Sequence, residues 1–290
     1  MTGESAFIDS LRALATHPAA RGLEDDAAVL EVGGETLVLT HDTIVSGVHY
    51  LPFQDMADVA WKLVATNLSD LAAKGAEPVG ILLSHMLSTN DDRFVEGLTE
   101  VLETYECPLL GGDTVSSDGP PTYGVTAIGR AAHSPVPSRG GAQIGDGLYI
   151  TGAVGAAMLG FEALRDATGA DTSAYLRPIP LLTEGQALAP LATAIMDVSD
   201  GLLLDASRIA QASSVTLDID TASVPIATSE ERRDEALRWG DDYQLLFTAP
   251  INASSPVNAA HIGEVIEASD SPILLNGTAP ERSSPLGYSH

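Results

Sequence analysis

The sequence predicts an α/β (α+β) protein of two domains, and three observations carry that expectation. At 290 residues the chain is long for one domain, whose usual size is about 150 residues. Strand-like and helix-like patterns alternate in both halves instead of segregating. A segment at 134–141 holding Pro135, Pro137, Gly140 and Gly141 separates the halves. The boundary is placed there, giving domains of residues 1–135 and 136–290.

The elements follow in order. Residues 5–15 read as a short helix with Phe7, Ile8, Leu11 and Leu14 on one stripe. An acidic turn, Glu24-Asp25-Asp26, leads into strands at 27–32 and 36–40 joined by Gly33-Gly34. The clearest helix spans 58–73: Ala60, Leu63, Val64, Leu68 and Leu71 recur at helical spacing, and Gly75 stands just past the end. A strand at 79–84 precedes a second amphipathic helix at 91–105, begun by Asn90 or Asp91 as cap. Leu109-Leu110 then leads into a Gly111-Gly112 turn, and 123–129 is a strand. The second half opens with a strand at 147–151 and a Gly/Ala-rich helix from about Ala153. A short buried strand at 194–196 runs into Asp197-Val198-Ser199-Asp200-Gly201. The helix after it carries Leu202, Ala206, Ile209 and Ala210 on its apolar stripe. Strands at 215–219, 244–248 and 273–275 complete the pattern. There is no repeat period, although Asn67-Leu68-Ser69-Asp70 and Asp197-Val198-Ser199-Asp200 echo one another briefly.

Composition excludes several function classes. Hydrophobic residues make up 44% and charged residues 19%, enough apolar material for a core and too little charge for wholesale disorder. Fourteen basic against 40 acidic residues give a net charge of −26, which repels nucleic acid and anionic membranes. No run approaches the roughly 18 apolar residues of a membrane span. The opening segment carries acids and lacks an apolar h-region, so no signal peptide is expected. The single cysteine, Cys107, fits a reducing compartment, and the expected location is the cytoplasm. The charge poses one chemical problem: a protein this acidic handles phosphates only if cations intervene.

Carboxylates at the ends of predicted elements are where those cations would sit. Asp25 and Asp26 follow the first helix, Asp42 lies just past a strand, and Asp70 is on the long helix. Asp113 follows the glycine turn, and Asp197 and Asp200 flank Ser199. Carboxylate oxygens are hard ligands suited to Mg²⁺ or Ca²⁺, and no Cys/His spacing suggests zinc. Asn67 and Asp70, at i and i+3, project from one helix face. Each residue also has a structural alternative. Asp25 or Asp26 can form a turn, Asp200 can cap a helix, and Asp70 can pair with Lys74 four residues on. There is no Walker-type phosphate loop. Arg139, in a Gly-rich stretch, is the best-placed arginine for a bidentate phosphate contact, with a linker arginine as the alternative. His41 and His49 bracket the Gly47 turn as candidate polar contacts.

Six ordered blocks then make a specific pattern: GLEDDAAVL, LTHDTIVSGVHYLP, NLSDLAAKGAEP, GGDT, DVSDGLLLD and GDDYQLLFT, with an echo in the terminal Gly-Tyr-Ser-His. From about Gly22 to Thr248 the chain resembles the thiamine-monophosphate kinase family, within the aminoimidazole-ribonucleotide-synthetase superfamily. The resemblance implies a two-domain fold with an N-terminal dimerising domain. It implies transfer of the γ-phosphate of ATP onto thiamine monophosphate, with several Mg²⁺ ions. Asp26, Asp42, Asp70, Asp113, Asp197 and Asp200 are the implied metal ligands, with Thr40 assisting. Gly112, Asp113, Arg139 and Ser199 are the implied ATP contacts. His49, Asp241 and Tyr288 are the implied thiamine-phosphate contacts, Tyr288 by stacking. The implied partners are ATP, thiamine monophosphate and a second copy of the chain.

Three departures stand out. His41 replaces the usual Thr, Asp241 the usual longer Glu, and Val115-Ser116-Ser117-Asp118 the usual Thr-Arg-Gly stretch. Two alternatives remain at this level. One is another ATP-using member of the superfamily, of the purine-precursor ligase type. The other is a non-catalytic acidic relative that binds nucleotide or metal.

Overall fold

A computed structural model describes residues 3–281 and 284–288; Ser289 and His290, half of the terminal echo, lie outside the described residues. The first half forms a five-stranded sheet of β1 (Ala28–Val32), β2 (Glu35–Val45), β3 (Ala76–Met86), β4 (Leu109–Val115) and β5 (Thr122–Ala131). Its order is β1-β2-β5-β3-β4. Its helices are α1 (Glu4–Arg12), α2 (Met56–Ala73) and α3 (Asp91–Thr104). The second half forms a six-stranded sheet of β6 (Asp146–Ile150), β7 (Ala194–Asp197), β8 (Thr216–Ile219), β9 (Leu245–Pro250), β10 (Ala260–Ile266) and β11 (Ile273–Leu275). That sheet runs in the order β11-β8-β10-β6-β9-β7. Its helices are α4 (Ala156–Arg165), α5 (Ser173–Leu176), α6 (Leu182–Leu188), α7 (Leu202–Ser213) and α8 (Arg233–Trp239). The α/β (α+β) expectation holds.

The glycine pair between β1 and β2 takes positive φ at both residues, as a tight hairpin requires, and sets Val32 opposite Glu35. β3 and β4 are parallel because α3 carries the chain back between them; the other neighbours in this sheet are antiparallel.

α2 is the element both halves share. The Asp55 side chain accepts the Ala57 backbone N–H at 2.9 Å and caps its start. Between Ala57 and Ala73 only Asp58 and Asp70 escape full burial. The sequence pattern predicts one apolar stripe with a polar face opposite. The helix is instead enclosed, because β2, β3, β5 and α3 pack around it from the first half and α5, α6 and β7 from the second. Each buried Leu or Val on it contributes about 1.5–3 kcal/mol. An apolar cluster of Ala72, Ala73, Leu188, Ile195, Leu245 and Phe247 joins the two halves there.

Several expectations are corrected. β2 continues to Val45, so Asp42 lies inside a strand and not past its end; pairing along β5 and a bond from α2 carry the polar His41-Asp42 pair through. Gly111-Gly112 is extended backbone in β4, not a turn. α1 stops at Arg12, before the bend into Pro18. β10, α5, α6 and α8 were not anticipated.

Candidate metal and phosphate site

Three carboxylates from remote segments meet at the junction of the halves. Asp26 precedes β1, Asp70 stands in the last turn of α2, and Asp197 ends β7. One oxygen from each lies within 4.8 Å of the others. The surroundings aim them. Thr40 and Asp42 alternate on β2 and so share a face. The Thr40 hydroxyl donates to Asp70 Oδ2. The Asp42 backbone N–H donates to Asn67 Oδ1 at 3.0 Å, and Asn67 Nδ2 donates to Leu63 O at 2.8 Å. Asn67 is fully buried, so it pins β2 to α2 at the position where Asp42 projects. Ser69 Oγ donates to Asp197 Oδ2 at 2.5 Å. The two echoing tetrapeptides therefore touch.

The cluster is electrostatically crowded. Burial, then the charges of Asp42, Asp197 and Asp26, hold the Asp70 carboxyl well above the ordinary carboxylate range. Burial and the Asp26 charge push Asp197 up to about 8. Asp42 is raised by burial and by Asp200 and Asp26, against the pull of His41. Hard oxygen donors that repel one another at this spacing fit a divalent cation, which would relieve the repulsion.

Protein cations balance part of the charge. Lys74 Nζ is fully buried and pairs with Asp25 at 2.5 Å and Asp26 at 2.7 Å. Its partners are therefore these two residues and not Asp70, the i−4 alternative read from the sequence. Burial alone would raise Asp25, but Lys74 and Arg21 outweigh it and hold that carboxyl at about 2. Arg139 Nε donates to Asp26 Oδ1 at 2.8 Å, so this arginine faces the cluster and is not a linker residue. Arg208 Nη1 reaches Asp200 Oδ2 at 2.6 Å and Asp205 Oδ1 at 2.7 Å. Arg12, Arg139 and Arg208, with Glu24, line a cavity of about 330 Å³ between α1 and α7.

The turn after β7 is held by Asp205, whose Oδ2 accepts the backbone N–H groups of Ser199 and Asp200, both at 3.0 Å. The Ser199 carbonyl accepts the Asp241 N–H at 2.8 Å, and the Asp200 carbonyl accepts the Tyr288 N–H at 2.9 Å. Asp241 and the exposed Tyr288 ring are thereby brought to the loop that carries Ser199 and Asp200. His49 accepts the Val45 N–H through Nδ1 at 3.1 Å, and its carbonyl accepts the Tyr175 hydroxyl at 3.4 Å.

Gly112 and Asp113 are not brought to the cluster within one chain. Asp42, Val125, Leu83 and Gly112 form one row across β2, β5, β3 and β4. Three inter-strand spacings, about 14 Å, therefore separate the Asp113 end of the sheet from β2. Every residue of β4 is exposed at the sheet edge. The glycine at 112 has a steric reason, since a Cβ there would meet Leu83 O at 1.9 Å.

The sequence reading missed Asp25 and Lys74 as a buried pair, Asp205 as the loop's anchor, and Lys62. One signal was available: the chain has two lysines, and they stand on α2 and at its C-terminal cap.

Known proteins bear on this arrangement. The family model described as AIR synthase related protein, N-terminal domain, matches residues 24–131, and the corresponding C-terminal domain model matches residues 143–273. The thiamine-monophosphate kinase of Escherichia coli (strain K12) is 38% identical over 252 residues, covering 79% of this chain and 76% of that protein. The enzyme of that name from Caulobacter vibrioides is 36% identical over 305 residues, covering 94% and 86%. The solved structure of AaThiL complexed with AMPPCP and TMP is similar with a TM-score of 0.89 at 29% identity, covering 99% of this chain and 97% of that one.

Proposed function

The chain belongs to the thiamine-monophosphate kinase family of AIR synthase related proteins, and on that premise we propose that it transfers the γ-phosphoryl group of ATP directly onto the phosphate of thiamine monophosphate, yielding thiamine diphosphate and ADP. The observation that carries the proposal is the convergence of Asp26, Asp70 and Asp197. Those three would hold Mg²⁺, with Asp42, Asp200 and Thr40 alongside. Bound there, Mg²⁺ supplies the positive charge that phosphoryl transfer needs.

The chain's own residues position the reactants. Arg139 and Arg208 border the cavity beside the cluster and offer guanidinium forks to nucleotide phosphates. The Ser199 turn, fixed by Asp205, lies against the same carboxylates. His49, Asp241 and Tyr288 receive the thiamine phosphate, with the exposed Tyr288 ring as a platform for the heterocycle. No general base is required, because a phosphate monoester oxygen is already a nucleophile at neutral pH.

Residues 1–135 form the dimerising domain in this reading, and 136–290 complete the nucleotide and acceptor site. The edge strand β4, with Leu109, Leu110 and Val115 exposed, supports pairing with a second copy. Gly112 and Asp113 would then serve the nucleotide near that interface. The net charge of −26 argues against nucleic-acid or anionic-membrane partners, and no described helix is long and apolar enough to cross a membrane. The proposed location is the cytoplasm.

The test is to incubate purified protein with ATP, Mg²⁺ and thiamine monophosphate and follow products by ³¹P NMR. Stoichiometric thiamine diphosphate and ADP, abolished by EDTA, is the expected result. ATP binding without transfer, or product only with another acceptor, overturns the proposal in favour of a non-catalytic relative or a purine-precursor enzyme.

A further inference from the structure

Both lysines of this chain are buried, Lys62 with 2% of its surface exposed and Lys74 with none. An ammonium group removed from water is costly unless it is paired, so each burial has a reason. Lys74 serves the carboxylate cluster. Lys62, on α2, does not. Its Nζ donates to Asp241 Oδ2 at 2.7 Å, lies 3.5 Å from the His49 carbonyl oxygen, and sits 3.9 Å from the centroid of the Tyr175 ring. These partners come from three segments far apart in sequence. The Tyr175 hydroxyl donates to the same His49 carbonyl at 3.4 Å, and the Tyr243 hydroxyl donates to Asp241 Oδ1 at 2.9 Å. The side chain of Asp241 remains 30% exposed while that of Lys62 is 2% exposed. The ammonium therefore lies behind the carboxylate, out of reach of a ligand in front of it.

We propose that Lys62 is a positioning residue for the acceptor half of the site, holding the Asp241 carboxylate and the His49 carbonyl in fixed relation through one ammonium group. The inference rests on the proposed function, in which His49 and Asp241 receive thiamine monophosphate. The Tyr175 ring beneath the ammonium replaces part of its lost hydration by a cation–π contact. The Tyr243 hydroxyl fixes the second carboxylate oxygen. Asp241 takes a positive φ of 57°, a backbone state held by the bond of its N–H to Ser199 O. The ammonium touches both the His49 carbonyl and the Asp241 carboxylate, so in this proposal its loss lets the two acceptor contacts separate.

Steady-state kinetics of the full chain with ATP, Mg²⁺ and thiamine monophosphate tests this. Lys62→Met is expected to raise KM for thiamine monophosphate roughly tenfold or more and to leave KM for ATP within about twofold. The double variant Lys62→Met/Asp241→Asn is expected to lose less than the sum of the two single losses, since both changes act in part through the Asp241 carboxylate. Tyr175→Leu removes the ring and should shift the same constant in the same direction, which carries the test if Lys62→Met does not fold. Equal rises in both KM values, additive losses in the double variant, or unchanged KM values overturn the inference. An inactive wild type removes the functional reading and this inference with it. An active wild type with an unshifted KM ratio in the variants removes this inference alone.

Discussion

Asp70 sits where stability and chemistry conflict. Its carboxylate faces Asp26 and Asp197 across less than 4.8 Å and is deprived of water by α2 and β2. Folding raises its pKa, as it raises that of Asp197 to about 8, so the folded state binds protons that the unfolded chain releases. The sign follows. Metal-free protein keeps this stability at low pH, where the carboxyls are protonated, and loses it as pH rises from about 4 through about 8. Asp70→Asn keeps the hydrogen bond with Thr40 possible and removes one of the repelling charges. In EDTA, calorimetry should show a higher Tm for the variant than for the wild type, by about 2–4 °C per kcal/mol of relieved repulsion, with a wider gap at pH 8 than at pH 5. Turnover should fall about a hundredfold or more. A variant destabilised in EDTA with wild-type turnover would contradict the role assigned to Asp70. The sequence shows Asp70 as a candidate but not its partner. Spacing offers Lys74, whereas packing turns that lysine toward Asp25 and Asp26, residues nearly fifty positions away.

Among the elements, α2 decides the geometry, and its seat against α6 is the tightest contact it makes with the second half. A Cβ added at Gly185 would lie 1.9 Å from the Ala72 carbonyl oxygen. Gly185→Ala must therefore push α6 off α2, an overpacking worth about 1–3 kcal/mol. The expected outcome is a lowered Tm. Lower kcat should follow, because the chain leaving α6 leads directly into β7 and Asp197; an unchanged Tm would mean that the helices do not meet this closely. The long helix was legible from its periodicity. α6 was not, since seven residues with a central glycine after Pro-Ile-Pro give no helical signal. β2 was legible only as far as residue 40. The bond from the Asp42 N–H to Asn67 and the ladder with β5, which carry it to Val45, are tertiary and leave no mark on local pattern.

At the scale of the whole molecule, a chain of charge −26 gathers buried carboxylates where its two sheets meet around α2 and sets arginines beside them. The order of the acidic blocks along the sequence was enough to indicate the family: all but GGDT, which lies within the edge strand β4, fall where a strand or helix begins or ends. What the blocks do not carry is which residues touch. Asp26, Asp70 and Asp197 converge within the chain, while Asp113 stands three strands away on an exposed edge. Such distances come from sheet order, which no motif encodes. The central claim is that the three converging aspartates form a divalent-cation site. Anomalous scattering from crystals grown with Mn²⁺ and a non-hydrolysable ATP analogue tests it most directly. A manganese peak about 2.0–2.3 Å from oxygens of Asp26, Asp70 and Asp197 is the predicted result. Manganese bound elsewhere, with those three carboxylates contacting only protein, would contradict it.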